Sequence, residues 1–171
     1  MVRIAVALVG MVLVACSPNG TTAQETAPAP VQAAEASQLS EAGLRLIDVS
    51  IVSGETRHGF VTELAATQEE QAKGMMFRTE MGDDEGMLFP SYAPQVRSFW
   101  MKNTPLPLDI IFIGPNNRIT NIEAGVPYSL ESVRSRGFSI AVLEIRGGLS
   151  AELGISPGDE VEFELPEDAS L

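Results

Sequence analysis

The stretch Ser98–Gly114, SFWMKNTPLPLDIIFIG, sets the only tryptophan of the chain, Trp100, two residues from one of its two lysines, Lys102. Successive residues of a strand point to opposite faces. Read as a strand, residues 97–103 put Phe99 and Met101 on one side and Ser98, Trp100 and Lys102 on the other. A broad aromatic beside an ammonium, followed by the amide of Asn103, suits binding: the ring stacks on a sugar or peptide and the polar groups fix its orientation. If a helix or loop folds over Trp100 instead, the ring is core. Asp109 opens the apolar run Ile110–Ile113, and Glu144 interrupts another, Ile140–Arg146. A carboxylate in an apolar strand needs a partner, and Arg78, Lys102 and Arg146 are the cations at hand. Arg78, Trp100, Lys102, Asn103, Asp109 and Glu144 therefore form the candidate ligand site. The plainer alternative is that the charged members are ion pairs that pin loops.

Other chemistry finds less support. Zinc wants three or four His, Cys or carboxylate ligands, and the chain has one histidine, His58, and one cysteine, Cys16. His58 reads as a surface strand residue, and no cofactor is implied. Met75, Met76, Met81, Met87 and Met101 fall within one short span, and thioethers suit Cu(I), but methionine is also a core filler. No Gly-x-Ser-x-Gly occurs, so nucleophilic catalysis lacks its pattern. Asp83, Asp84, Glu85, Asp109 and Glu144 could supply paired carboxylates for glycan hydrolysis, although an acidic loop is usually solvated surface. No catalytic residue is assigned.

The elements that must position these groups follow from local pattern. Leu44–Ile51 reads as a first strand, with a bulge at Ile47-Asp48, and Thr56–Ala65 as a second, across the turn Ser53-Gly54-Glu55. Thr67-Gln68-Glu69-Glu70 is a capping box, opening a short helix to about Met76 with Ala72, Met75 and Met76 facing the core. Met87–Phe89 is a short strand stopped by Pro90. Gly114-Pro115-Asn116-Asn117 is a hairpin turn, returning as strand Arg118–Ala124. Pro127–Gly137 is polar and ambiguous. Ile140–Arg146 is a strand, and Ser150 caps a single turn through Leu153. In the last strand Val161, Phe163 and Leu165 alternate with Glu160, Glu162 and Glu164, which implies a sheet with one face in solvent. These short strands predict a mainly β fold, a compact antiparallel sandwich or barrel with one or two short helices.

FWMKNTPLPLDIIF resembles the signature of a bacterial family, domain of unknown function 192, also called uncharacterised protein family 0127. TQEEQAKGMMFR and DDEGMLF before it, and VLEIRGG and LGISPGDEV after it, agree in order. The resemblance covers about Phe60 to Phe163 and implies no established activity.

The N-terminus supplies an address. Arg3 followed by the apolar run Ile4–Ala15 reads as a secretory signal, too short to span a bilayer comfortably. It ends Leu13-Val14-Ala15-Cys16, which resembles a lipobox: Cys16 would be lipidated and become the first mature residue, and Ser17 after it favours the outer membrane facing the periplasm. Residues 16–43, rich in Ala, Pro, Thr, Gln and Ser, read as a disordered tether; residues 44–166 are the single β-rich domain and 167–171 a tail. Removing residues 1–15 takes Arg3 and leaves 10 basic against 23 acidic residues, a net of −13. Such a surface disfavours nucleic acid and anionic headgroups, so membrane contact would run through the lipid alone.

The expected function is a monomeric, non-catalytic envelope module that binds a carbohydrate, a peptide or a partner protein. The alternatives are a carboxylate-dependent hydrolase and soft-metal binding through the methionines.

Overall fold

The computed structural model describes residues 39–167 and residue 169. The stretch read as a signal peptide, Cys16 and most of the segment read as a tether lie outside the described residues. Residues 39–43 form a turn in which Leu39 bridges to Arg45.

Nine strands and two short helices follow. β1 (Leu46–Ser53) and β2 (Thr56–Leu64) pair antiparallel in unbroken register, so the bulge expected at Ile47-Asp48 is absent. The capping box at Thr67 forms: its hydroxyl accepts from the Glu70 amide while the Glu70 carboxylate accepts from Thr67 N–H. The helix α1 (Gln68–Lys73) stops earlier than its pattern suggested, at Gly74. Gly74 has a φ of 45° and lies so close to Phe89 that a Cβ would meet the ring at 3.3 Å. Ala72, expected in the core, is exposed, whereas Met75 just beyond the helix is buried.

β3 (Glu85–Gln95) runs through Pro90 rather than stopping before it. Its parallel pairing with β2 ends at Leu88, and its ladder to β8 shifts register between Pro90 and Gln95. The proline therefore sits where no hydrogen bond is asked of its nitrogen, the setting in which strands tolerate it. β4 (Ser98–Phe99) is short and pairs with β7 (Val133–Arg134), a strand the polar 127–137 stretch did not announce. β5 (Leu108–Ile113) is buried along its length and turns through Asn117, at a φ of 57°, into β6 (Ile119–Gly125). β8 (Ser139–Arg146), α2 (Leu149–Leu153) and β9 (Glu160–Phe163) complete the chain.

The main sheet has the order β6-β5-β8-β3-β2-β1-β9, antiparallel except at β2–β3; β4 and β7 form a small second sheet. The expected mainly β fold with two short helices is thus present. It is not a closed barrel. β6 and β9 remain edges, touching at the bridge Arg118–Glu160. One core cluster joins Ile119 of β6 to Val161 of β9 through Ile111, Leu143, Leu88, Phe60 and Val49, which requires the sheet to curl around it. A second cluster lies on the other face: Met87, Phe89, Leu108, Ile110, Phe112 and Val142, covered by Met75 and Met101 from the segments after α1 and β4. Both faces of the central strands β5 and β8 are therefore apolar, which explains why β5 shows no alternation. No described helix is long and apolar enough to cross a membrane.

Candidate functional site

The second cluster is incompletely covered, and the gap is the candidate site. On its floor stands Glu144. In β8 it shares a face with Val142, and in register it lies between Met87 of β3 and Ile110 of β5. One wall is the end of α1 and its exit, Gln71 to Met76; the other is Phe99, Trp100, Met101 and Thr104. The cleft between them holds about 40 Å³, room for about three water molecules.

The walls are held by a few polar ties. Arg97 donates to the Pro90 carbonyl, to Ser91 Oγ and to Gln71 Oε1, and Gln71 donates to the same carbonyl. α1, β3 and β4 are thereby clamped together. Burial lowers the pKa of the Arg97 guanidinium. Arg97 also lies 5.2 Å from the centroid of Phe99, whose ring meets Phe89 edge-on at 5.1 Å. The chain then turns at Asn103, with a φ of 55°, and the Thr104 amide closes on Met101. The Asn103 carbonyl accepts from Phe77 N–H at 2.8 Å, and the Thr104 carbonyl from Tyr128 N–H at 3.1 Å. Phe77 and Tyr128 themselves have φ values of 65° and 59° and expose 70% and 64% of their surface. Bulky residues rarely adopt this conformation, and strain of this kind concentrates at functional positions. Two strained, exposed aromatics are thus tied through their backbone to the Asn103–Thr104 turn beside the cleft.

Glu144 is 4% exposed. Among the buried carboxylates described, Glu63 is paired with Arg78 and Asp109 accepts two backbone N–H bonds. Glu144 has no hydrogen-bond or ion-pair partner. Desolvation alone pushes its pKa up to about 8. At neutral pH the folded protein therefore holds a largely protonated carboxyl at the base of an apolar cleft.

The structure distributes the sequence-derived candidates unequally. Trp100 and Glu144 line the cleft. Trp100 is 48% exposed, a wall rather than a core residue, with the Lys102 ammonium 5.1 Å from its centroid. Asn103 reaches Met76 Sδ at 3.9 Å. The burial alternation expected for Phe99 and Met101 against Ser98, Trp100 and Lys102 is present, although the strand itself spans two residues. Asp109 stands elsewhere. On β5 it has the parity of Ile111 and Ile113, and its carboxylate receives Gly148 N–H at 2.9 Å and Ser150 N–H at 2.8 Å. It caps α2, the role assigned from sequence to Ser150. Arg146 holds Asp83 and Glu152, so part of the acidic loop is an ion-pair partner. His58 is half-buried on β2. Met75, Met76 and Met101 line the cleft, whereas Met87 is in the core and Met81 packs beside it. Among the described residues, no cluster of three His, Cys, Asp or Glu could hold a metal.

Sequence reasoning missed Phe77, Tyr128 and Lys73. Lys73, the second lysine, was available by count alone. Phe77 and Tyr128 owe their conformation to hydrogen bonds with distant Asn103 and Thr104, which no local pattern reports.

A curled, mostly antiparallel sheet with a one-carboxylate cleft on its outer face defines the class of domain. The model of the family DUF192, described as "Uncharacterized ACR", matches residues 49–163, and the chain belongs to that family. A solved structure of a protein of unknown function from Novosphingobium aromaticivorans DSM 12444 is similar at 50% identity and a TM-score of 0.72, covering 75% of this chain and 94% of the other. A Sinorhizobium meliloti 1021 protein, described as a candidate transcription regulator, is similar at 36% identity and a TM-score of 0.68, covering 70% and 95%. No curated protein matches the chain.

Proposed function

We propose that this chain is a non-catalytic ligand-binding module of the cell envelope, tethered through Cys16, which takes a peptide or a carbohydrate at the cleft beneath Trp100. The observation that carries the reading is the composition of the cleft: a half-exposed tryptophan over a single buried carboxyl, Glu144. Hydrolysis of a glycan by carboxylates uses two of them facing one bond. Asp109, the other buried candidate in the central strands, serves α2 on the opposite face. Aromatic and apolar walls with one convergent polar group are the usual make-up of a recognition site.

Met75, Met76 and Met101 on the same walls favour a second reading, soft-metal binding by thioethers. Against it, Met101 Sδ lies 2.7 Å from where a Cβ on Gly125 would stand, so that sulfur fills a backbone gap as a packing group.

Because Trp100 is the only tryptophan, its emission reports the cleft directly. Titrating the full chain with envelope glycan fragments and short peptides should give a saturable change with one of them and no cleavage products. Emission unmoved by every probe would contradict the binding reading, and product release would favour the hydrolase.

A further inference from the structure

Resting on the reading of this cleft as a ligand site, we propose that its ligand is a lysine-type amino acid, free or at the C-terminus of a peptide. The side-chain ammonium would meet Glu144, and the carboxylate would lie at the mouth near Lys73 and Lys102.

Three observations converge on that chemistry. The first is the unpartnered carboxyl. Glu144 is 4% exposed and lines the cleft, while Glu63 and Asp109, buried to a similar degree, both have partners. On binding, the Glu144 carboxyl releases its proton to solvent, and the buried carboxylate is then satisfied by a donor of opposite charge; an ammonium brings three N–H groups on a compact head. The second is what surrounds it. Phe99, Trp100, Met75 and Met76 offer ring faces and thioethers, surfaces suited to a methylene stem and to a nearby cation. The rings here already attract cations, Lys102 to Trp100 at 5.1 Å and Arg97 to Phe99 at 5.2 Å. The third is the mouth. The chain has only two lysines and a net charge of −12, yet Lys73 lines the cleft and Lys102 lies over Trp100. Two ammonium groups there repel a polyamine, which is cationic at both ends. They complement a ligand that carries an anion at the end opposite its ammonium. The small interior, about 40 Å³, admits the end of a side chain and leaves the rest of the ligand on the rim.

The test uses the full chain and four probes: L-lysine, the tripeptide Ala-Ala-Lys, cadaverine, which lacks the carboxylate, and Nε-acetyl-lysine, which lacks the charge at the far end. Trp100 emission and calorimetry read binding. L-lysine or Ala-Ala-Lys should bind saturably; whichever binds more tightly identifies the free or the peptide-terminal source. Acetylation should weaken binding at least tenfold, and cadaverine should bind several-fold more weakly than lysine. Glu144→Gln should lose at least tenfold for lysine while melting cooperatively. Lys73→Ala, at an exposed position, should lower lysine affinity toward that of cadaverine. The inference is overturned if neither lysine nor the tripeptide binds, if acetyl-lysine or cadaverine binds as well as lysine, or if Glu144→Gln binds lysine unchanged. Saturable binding of a glycan fragment or a lysine-free peptide in the same assay would leave the ligand-site reading standing without it.

Discussion

Two carboxylates on adjacent strands of the sheet have opposite circumstances. Asp109 on β5 faces the first core cluster and receives two backbone N–H groups that would otherwise be unpaired at the start of α2. Glu144 on β8 faces the other way, between Met87 and Ile110, and receives nothing. On the Asp109 side the sheet curls, its ends touch, and the buried carboxylate holds the start of a helix. The Glu144 side is left open, with its cover reduced to two wall segments and its aromatics turned outward. Protein interiors satisfy their buried polar groups, so the contrast separates a carboxylate kept for the fold from one kept at the fold's expense.

The sharpest way to break this contrast is to neutralise Glu144. Burial raises its folded pKa to about 8, against about 4.3 for an unfolded glutamate. Between those values the native protein holds a proton that the unfolded chain has released. Stability is then fully present below the unfolded pKa and is lost as pH rises toward 8. Glu144→Gln removes that loss. It should be more stable than the parent at pH 8 by on the order of 3–5 kcal/mol, with the gain vanishing near pH 4. Urea unfolding of both proteins across this range checks it. Equal pH dependence in the two would remove the contrast.

Asp109→Ala should do the reverse. It strands the amides of Gly148 and Ser150 and should cost about 3 kcal/mol, seen as a fall in the urea midpoint at neutral pH. A near-neutral Asp109→Ala would mean that α2 is held by packing of Leu149 alone. The smallest effects belong to the cleft's rim. Trp100→Ala should cost only about 1 kcal/mol, and Lys102→Ala within about 0.5 kcal/mol, because neither side chain is core. Thermal melts that fell far below the parent for both would make this stretch structural.

What was legible in the sequence was local. The capping box at Thr67, the hairpin through Asn117 and the alternating burial of Phe99 to Lys102 each follow from a few neighbouring residues, and the family resemblance was carried by contiguous motifs. What was not legible depended on distance along the chain. Asp109 and Lys102 look like neighbours because seven residues separate them, but the amides that Asp109 needs belong to Gly148 and Ser150, about forty residues on. Pro90 looked like a stop because local rules cannot know that β2 pairs no further than Leu88. Glu144 was visible as a carboxylate in an apolar strand, whereas its lack of a partner is a property of every other chain segment that could have supplied one.

The central claim is that Glu144 sits buried and unpaired in an open cleft. Its most direct test is the pH titration of the Glu144 side-chain carboxyl carbon by NMR, in the full chain and assigned with Glu144→Gln. A midpoint near 8, well above the other carboxylates, is the predicted result. A midpoint in the ordinary range of about 4–5 would contradict the account, because it would mean that the group is hydrated or paired in solution.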